Sequence, residues 1–192
     1  GEIIFLDKNL QNNFEEIKEH IGYVPDEVTL YDFLKVEEFI NFIIESNLLN
    51  SQLLQERINY LDKKLCIFEY KNHLIKDLSL GTKQRIGIFA ALLKKPKMLV
   101  VDEPLVGLDP FFINNVKELF REYTNMERGS ILMSTHLLNI AEELSTKICI
   151  ILGGKIYYTG TIEDLKNKYD TNTSLETLFL KILELNPDTY KI

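Results

Sequence analysis

The 192-residue chain has no tryptophan and only two cysteines, Cys66 and Cys149. The cysteines are far apart in sequence, and neither has a second thiol at a metal-site spacing. We therefore expect two reduced, buried thiols rather than a disulfide or a zinc site. This cysteine usage suits a cytoplasmic protein.

Long hydrophobic runs are also missing. No uninterrupted apolar run approaches the roughly 18 residues that a membrane-spanning helix requires. The opening sequence GEIIFLDKNL has neither the basic segment nor the long apolar core of a signal peptide. It also has no initiator methionine and enters directly into a strand-like run, so we expect an internal fragment or a trimmed chain.

Positive charge is scarce. Lysine and arginine together number 22 against 29 aspartate and glutamate residues, the net charge is −7, and only four residues are arginine. This balance argues against a broad nucleic-acid-binding surface. The 45% hydrophobic content is enough for a globular domain that buries a core.

The elements that are present alternate between strands and helices. Strand patterns at 3–6 and 21–24 flank a turn at 7–9 and a short helix ending near His20. A helical insert follows from 35 to about 74, with Ser51 as the cap of its second helix. The later pattern is helix 80–93, strand 98–102, helix 111–127, strand 130–134, helix 137–144 and strand 147–152. This alternation predicts an α/β fold with a mostly parallel sheet.

The carboxyl-terminal part of the pattern is shorter. Gly153 and Gly154 turn the chain into a strand that ends at Gly160, and Thr161 caps the last core helix. An amphipathic helix fills the tail from Thr171. We therefore expect a domain at 1–170 with a helical subdomain at about 35–85, and a helical tail at 171–192.

Two carboxylates end an apolar strand in the sequence MLVVDEP. Asp102 and Glu103 would lie at the carboxyl end of a central strand, where open α/β sheets bind ligands. One carboxylate suits Mg²⁺, and the next suits a general base that activates water. The alternative is a pair of exposed acids at a strand end.

The sequence LSLGTKQR begins a predicted helix. Ser79 is a competent N-cap, and Gly81 lets a ligand approach the backbone closely, so this turn could bind an anion. An ordinary helix start explains the same residues. His136, in STH, follows another strand, and Asp109, in GLDP, is central to a turn. Taken singly, a structural or exposed histidine and a plain capping turn are the better explanations.

The order of these four motifs resembles the nucleotide-binding domain of ATP-binding-cassette (ABC) transporters. LSLGT resembles the signature motif, MLVVDE the Walker B strand, GLD the D-loop and STH the switch-histidine loop. IGYVPDE is similar to the Q-loop segment, and GGKIYYTG to the late hairpin. The resemblance implies a P-loop NTPase-like ABC ATPase fold with an inserted helical subdomain.

The resemblance also implies residue roles. Asp102 would help to coordinate Mg²⁺, Glu103 would be the catalytic base, and His136 would contact the γ-phosphate. The signature would contact ATP bound on a second subunit, and the D-loop would couple the two sites. The signature residues are Ser79, Leu80, Gly81 and Thr82, and the D-loop residues are Gly107, Leu108 and Asp109.

Three departures from the family pattern stand out. Leu80 replaces the commonest glycine of the signature, and Asp26 replaces the usual glutamine of the Q-loop, where it would accept from a metal-bound water. A Walker A loop, GxxxxGK[ST], is absent, since Gly154-Lys155 is followed by Ile156. The family places that loop upstream of the segment at which this chain begins, together with further strands of the sheet.

The resemblance implies an ATP-binding subunit that uses ATP and Mg²⁺ and couples hydrolysis to transport. Its partners would be a transmembrane permease and a second nucleotide-binding subunit in a homo- or heterodimer, with no nucleic acid. It would lie on the cytoplasmic face of the membrane through the permease, and this chain alone would be inactive as an ATPase. Two alternatives are a non-hydrolysing subunit that only donates its signature motif, and a soluble ABC protein without a membrane partner.

Overall fold

The computed structural model describes residues 1–47, 52–169 and 173–186. The proposed cap Ser51 and the proposed boundary between residues 170 and 171 lie outside these ranges. The strands are β1 Ile4–Phe5, β2 Lys8–Asn9, β3 Ile21–Val24, β4 Met98–Asp102, β5 Ser130–Ser134, β6 Ile148–Leu152 and β7 Lys155–Gly160. The helices are α1 Phe14–Lys18, α2 Val36–Ser46, α3 Gln52–Leu65, α4 Leu80–Leu93, α5 Pro110–Asn125, α6 Leu138–Leu144, α7 Ile162–Lys168 and α8 Leu175–Leu185.

The chain divides into two compact units, 1–134 and 135–192. In the first, a parallel sheet has the order β3-β4-β5, with Val101 opposite both Val24 and Met133. Helix α4 is buried around most of its circumference and packs on β3. A Cβ atom on Gly22 would lie 2.6 Å from the carbonyl oxygen of Ala91, so glycine is what lets α4 approach the strand this closely. The α/β fold with a parallel sheet is confirmed.

The second unit is built on the antiparallel hairpin of β6 and β7. Its core joins the hairpin to α7 and α8 through Leu152, Leu165 and Leu178. Glu142 on α6 accepts hydrogen bonds from the Lys166 ammonium group and from the first backbone amide of α8, at Leu175. The helix predicted for the tail therefore docks on the unit by apolar burial and by a charged cap.

Strand β6 pairs antiparallel with β7, as the glycine turn and the resemblance to a late hairpin predicted. Two sequence-based expectations were wrong. The predicted turn at 7–9 is shorter, because Leu6 and Asp7 adopt positive φ angles of 48° and 61° and Lys8 already pairs as strand. Both thiols are free as expected, but one is half-buried and the other is exposed on β6.

None of the described helices is both long enough and apolar enough to cross a bilayer.

Candidate nucleotide site

The carboxylate pair lies where the sequence placed it, at the carboxyl end of the central strand β4. Asp102 is exposed and pairs in register with Ser134 at the end of β5, whose hydroxyl donates to its carboxylate. Parallel strands end at the same edge of a sheet, so the side chains of Asp102 and Ser134 reach the edge at which α/β folds bind ligands. The serine orients one oxygen of Asp102.

Glu103 has an unusual backbone. Its φ is +45°, in the left-handed region that non-glycine residues rarely adopt. Its amide donates to the carbonyl of Ser134 at 3.2 Å, and its carbonyl accepts from the amide of Val106 at 3.2 Å. These two bonds hold a conformation that costs on the order of 1–3 kcal/mol, and such strain concentrates at functional sites.

The signature residues begin helix α4. Ser79 is exposed, and its Oγ accepts from the backbone amide of Thr82 at 3.2 Å, as the sequence predicted for an N-cap. The side chain of Leu80 is 55% exposed, whereas Thr82 is buried. The four signature residues therefore differ in access to an external ligand, and the threonine hydroxyl faces the protein.

The signature turn lies directly against the D-loop of the same chain. A Cβ atom on Gly81 would be only 2.5 Å from the carbonyl oxygen of Gly107. Gly107 has a φ of +77°, and a Cβ atom on it would meet Cδ2 of Leu80 at 3.3 Å. Glycine at both positions is needed for this contact, so the two loops form one surface.

The D-loop aspartate begins helix α5. The Asp109 carboxylate accepts from the backbone amides of Phe111 at 3.0 Å and Phe112 at 3.2 Å, and Pro110 occupies the first helical turn. This is the helix cap that the sequence also allowed. Leu108 is half-buried beside it. The coupling role of the D-loop stays a prediction.

The remaining two predicted site residues are His136 and Asp26. His136 is exposed and belongs to the second unit, between β5 and α6. Asp26 is exposed and lines an open groove of about 480 Å³ in the first unit, together with Val28, Leu80 and Lys83. The structure brings Asp26 to the groove beside the signature helix, and the metal role assigned to it stays a prediction.

Sequence reasoning missed Arg85, the last residue of LSLGTKQR. Its side chain is buried and donates to the carbonyl of Leu65 at 2.6 Å and to Oγ1 of Thr82 at 3.1 Å. The guanidinium carbon also lies 3.7 Å from the centre of the Phe112 ring. Arg85 thus joins α3, the signature turn and α5. An arginine at the start of the apolar helical run IGIFAALL was the available signal.

A second group of polar side chains fastens the helical insert to α5. Tyr60 on α3 donates to Glu122, and Lys64 donates to Glu118 at 3.0 Å and to Glu122 at 3.2 Å. The hydrogen bond from Tyr60 holds the pKa of Glu122 below its usual value, and burial raises the pKa of Tyr60. The insert is therefore fixed to the helix that begins at the D-loop.

The donor set is compatible with magnesium and a phosphate. The described residues contain no cluster of three or more protein ligands that would hold a metal ion alone. Magnesium normally takes one or two carboxylates and fills its remaining positions with phosphate oxygens and water. The exposed Asp102 meets that need, and the amino terminus of α4 supplies a site for anions.

A family model described as ABC transporter matches residues 1–106. The chain belongs to the ABC transporter family. The match includes the signature and the carboxylate pair and ends before the D-loop and His136.

Relatives within the ABC family are similar along most of this chain. The chain is 34% identical over 152 residues to the uncharacterized ABC transporter ATP-binding protein YxlF of Bacillus subtilis, covering 79% of this chain and 51% of that protein. It is 31% identical over 169 residues to the uncharacterized ABC transporter ATP-binding protein YcbN of the same organism, covering 88% and 54%. The chain thus spans about half the length of these curated relatives.

A solved ABC structure has a similar fold. The chain superimposes on a protein described as the ATP binding subunit of an ABC transporter with a TM-score of 0.84. The two are 26% identical, and the superposition covers 94% of this chain and 75% of that one.

Proposed function

We propose that this chain is part of an ATP-binding subunit that couples ATP binding and hydrolysis to transport through a membrane permease. The observation that carries the proposal is the contact between Gly81 and Gly107, because it joins the signature and the D-loop into one surface. An ordinary capped helix does not need a second loop packed against its first turn. A surface that meets ATP held by another subunit needs both loops packed together.

The carboxylates supply the proposed chemistry. Bound ATP and Mg²⁺ would provide the reacting phosphoryl group and the charge that the carboxylates meet. Asp102, oriented by Ser134, would hold the metal through its exposed oxygen. Glu103 would accept a proton from water at its carboxylate, and His136 would contact the γ-phosphate. The partner in ATP binding would be a second nucleotide-binding subunit.

The groove beside α4 is the proposed site of the permease. Gln84 is 2% exposed and borders the groove, and its Nε2 has no acceptor among the described residues. Tyr31, Phe33 and Phe42 form an exposed aromatic cluster near the same segment, with centroid separations from Tyr31 of 6.1 and 5.4 Å. Exposed aromatic groups of this kind mark protein interfaces. We propose that the subunit lies peripherally on the membrane through this contact.

The domain boundaries are also a proposal. Residues 1–170 would form the ATP-binding domain, with a helical subdomain at about 35–85, and 171–192 would form a tail. The tight polar connection between α3 and α5 supports a subdomain that moves with the D-loop helix.

The test is a Glu103→Gln variant of the gene's complete product. The amide cannot accept the proton from water, so we expect ATP binding to persist and turnover to fall by about 100-fold or more. Glu163→Gln, an exposed carboxylate on α7, is the matched control and should keep full turnover.

Each other outcome decides against part of the proposal. Equal turnover by Glu103→Gln and the unmodified protein would remove Glu103 from the role of base. No turnover by the unmodified protein would favour a subunit that only donates its signature. Purification of the complete product without any permease would favour a soluble ABC protein.

A further inference from the structure

The signature serine takes part in a short chain of hydroxyl groups. Its Oγ accepts from the backbone amide of Thr82, and the two side-chain oxygens of Ser79 and Thr82 are 2.9 Å apart. Either hydroxyl has the geometry to donate to the other. The direction of this bond decides where the proton of Ser79 points.

Arg85 decides the direction. A guanidinium group only donates, so its Nη2 occupies one lone pair of the Thr82 oxygen at 3.1 Å. Thr82 is 4% exposed, and the acceptor that the described residues offer to its hydroxyl proton is Ser79. If Ser79 donated inward instead, the proton of Thr82 would have to turn away from Ser79. Nη2 of Arg85, itself a donor, already holds one of the remaining positions around the oxygen, and the described residues offer no acceptor at the other, so this arrangement is unfavourable.

The proton count then fixes the state of Ser79. Its Oγ accepts from the amide and from the hydroxyl of Thr82, so both lone pairs are used and its own proton has no inward partner. Ser79 is exposed, and that proton is directed to an external acceptor.

We infer that Arg85 is a positioning residue that makes Ser79 a hydrogen-bond donor towards the external ligand. The inference rests on the proposed function, in which the acceptor is a phosphate oxygen of ATP held by the second subunit. Arg85 itself is fixed by the carbonyl of Leu65 and by the ring of Phe112. The packing between α3, α4 and α5 therefore sets the direction of the hydrogen bond from Thr82 to Ser79. Thr82 acts as a relay and does not touch the nucleotide.

The test measures association of the complete gene product with Mg²⁺ and the slowly hydrolysed analogue ATPγS, by sedimentation velocity. Ser79→Ala removes the donor, and the loss of association in this variant is the reference for the other variants. In Arg85→Lys one ammonium nitrogen on a shorter stem replaces the two guanidinium nitrogens that reach Leu65 and Thr82 separately, so we expect the bond to Thr82 to be lost. The proton of Thr82 can then turn to the position that Nη2 held, and its oxygen becomes free to accept from Ser79. We expect association to weaken by about tenfold, since a hydrogen bond to a charged acceptor is lost.

The rescue separates this role from simple packing. Thr82→Val removes the inward acceptor, so Ser79 still donates outward, and we expect association to weaken clearly less than in Ser79→Ala. Arg85→Lys combined with Thr82→Val should recover most of the loss caused by Arg85→Lys. Binding of the analogue to the isolated monomer should stay unchanged, and urea unfolding reports whether each variant folds.

Three results overturn the inference. One is that Arg85→Lys associates normally. Another is that the double variant is no better than Arg85→Lys. The third is that Thr82→Val alone loses as much association as Ser79→Ala, which would place Thr82 on the nucleotide. The Thr82→Val result tests the inference even if Arg85→Lys fails to fold. If the unmodified protein does not associate with itself in Mg²⁺ and ATPγS, the inference fails in this form, because the phosphate acceptor is then not held by a second copy of this chain. The proposed function would still stand with a different second subunit.

Discussion

Replacing Gly81 with alanine tests the contact between the signature and the D-loop. The added Cβ would be 2.5 Å from the carbonyl oxygen of Gly107, and real Cβ atoms essentially never come within 3.0 Å of another atom. The D-loop or the helix start must therefore retreat by at least about 0.5 Å. The opposing atom is backbone, so no side-chain rotation relieves the clash.

The size of the effect follows from that displacement. Overpacking of this kind costs about 1–3 kcal/mol of stability. A shift of about 1 Å in a positioned group costs on the order of 100-fold in rate, so half of that shift should lower turnover of the complete protein by about tenfold. Both measurements are needed, the ATPase rate at saturating ATP and the free energy of unfolding in urea.

Gly154→Ala is the matched control. Gly154 lies in the β6–β7 turn with a φ of +73°, and a Cβ there would meet nothing within 4 Å. The left-handed backbone alone should cost about 1–2 kcal/mol. We expect a similar loss of stability with unchanged turnover. If Gly81→Ala hydrolyses ATP at the unmodified rate, the contact does not position the signature and the reasoning is refuted.

Two further substitutions test the packing of each unit. Arg57→Ala removes a buried guanidinium group whose Nη2 donates to the carbonyl of Leu92 at 3.0 Å, so the free energy of unfolding in urea should fall by about 3 kcal/mol. Glu142→Gln removes the charge that meets Lys166 and the amide of Leu175, and should cost about 1 kcal/mol at pH 7. The Lys166 ammonium group holds the pKa of Glu142 below its ordinary value of 4.5, so this carboxylate stabilises the fold above that pH and the difference between the two proteins should vanish as the pH falls below it.

Each of these substitutions has a control in an exposed ion pair. Lys18→Ala breaks the exposed pair with Glu15 and should change stability by less than about 1 kcal/mol. A loss no larger than this for Arg57→Ala would show that the guanidinium group is not holding α3. A gap between Glu142→Gln and the unmodified protein that persists unchanged to pH 3 would show that the charge of Glu142 does not cap α8.

The sequence predicted best where a local rule decides the structure. Strands 98–102 and 130–134 and helix 80–93 were confirmed residue for residue. The two strands are short apolar runs that lie between helices, and Ser79 marks the helix start by its own hydrogen bond. Local propensity and tertiary packing agree at these positions, so local propensity alone predicts the bounds of these elements.

Prediction was weaker where partners distant in sequence decide. Burial of Cys149 was wrong because its position on the outer face of β6 depends on the pairing register. Arg85 went unnoticed because most of its partners, such as the carbonyl of Leu65 and the ring of Phe112, come from distant parts of the chain.

The leucine at position 80 shows how a departure from a motif can be understood only from its neighbour. Leu80 stands where the commonest signature has glycine, and its Cδ2 occupies the space that a Cβ on Gly107 would need. Gly107 needs its φ of +77° for the turn and has no side chain, so it provides a surface on which Leu80 rests. The glycine of the D-loop therefore accommodates the leucine of the signature. The motif departure at 80 is thus a packing feature of the joined loops, and Ser79, one residue earlier, is exposed.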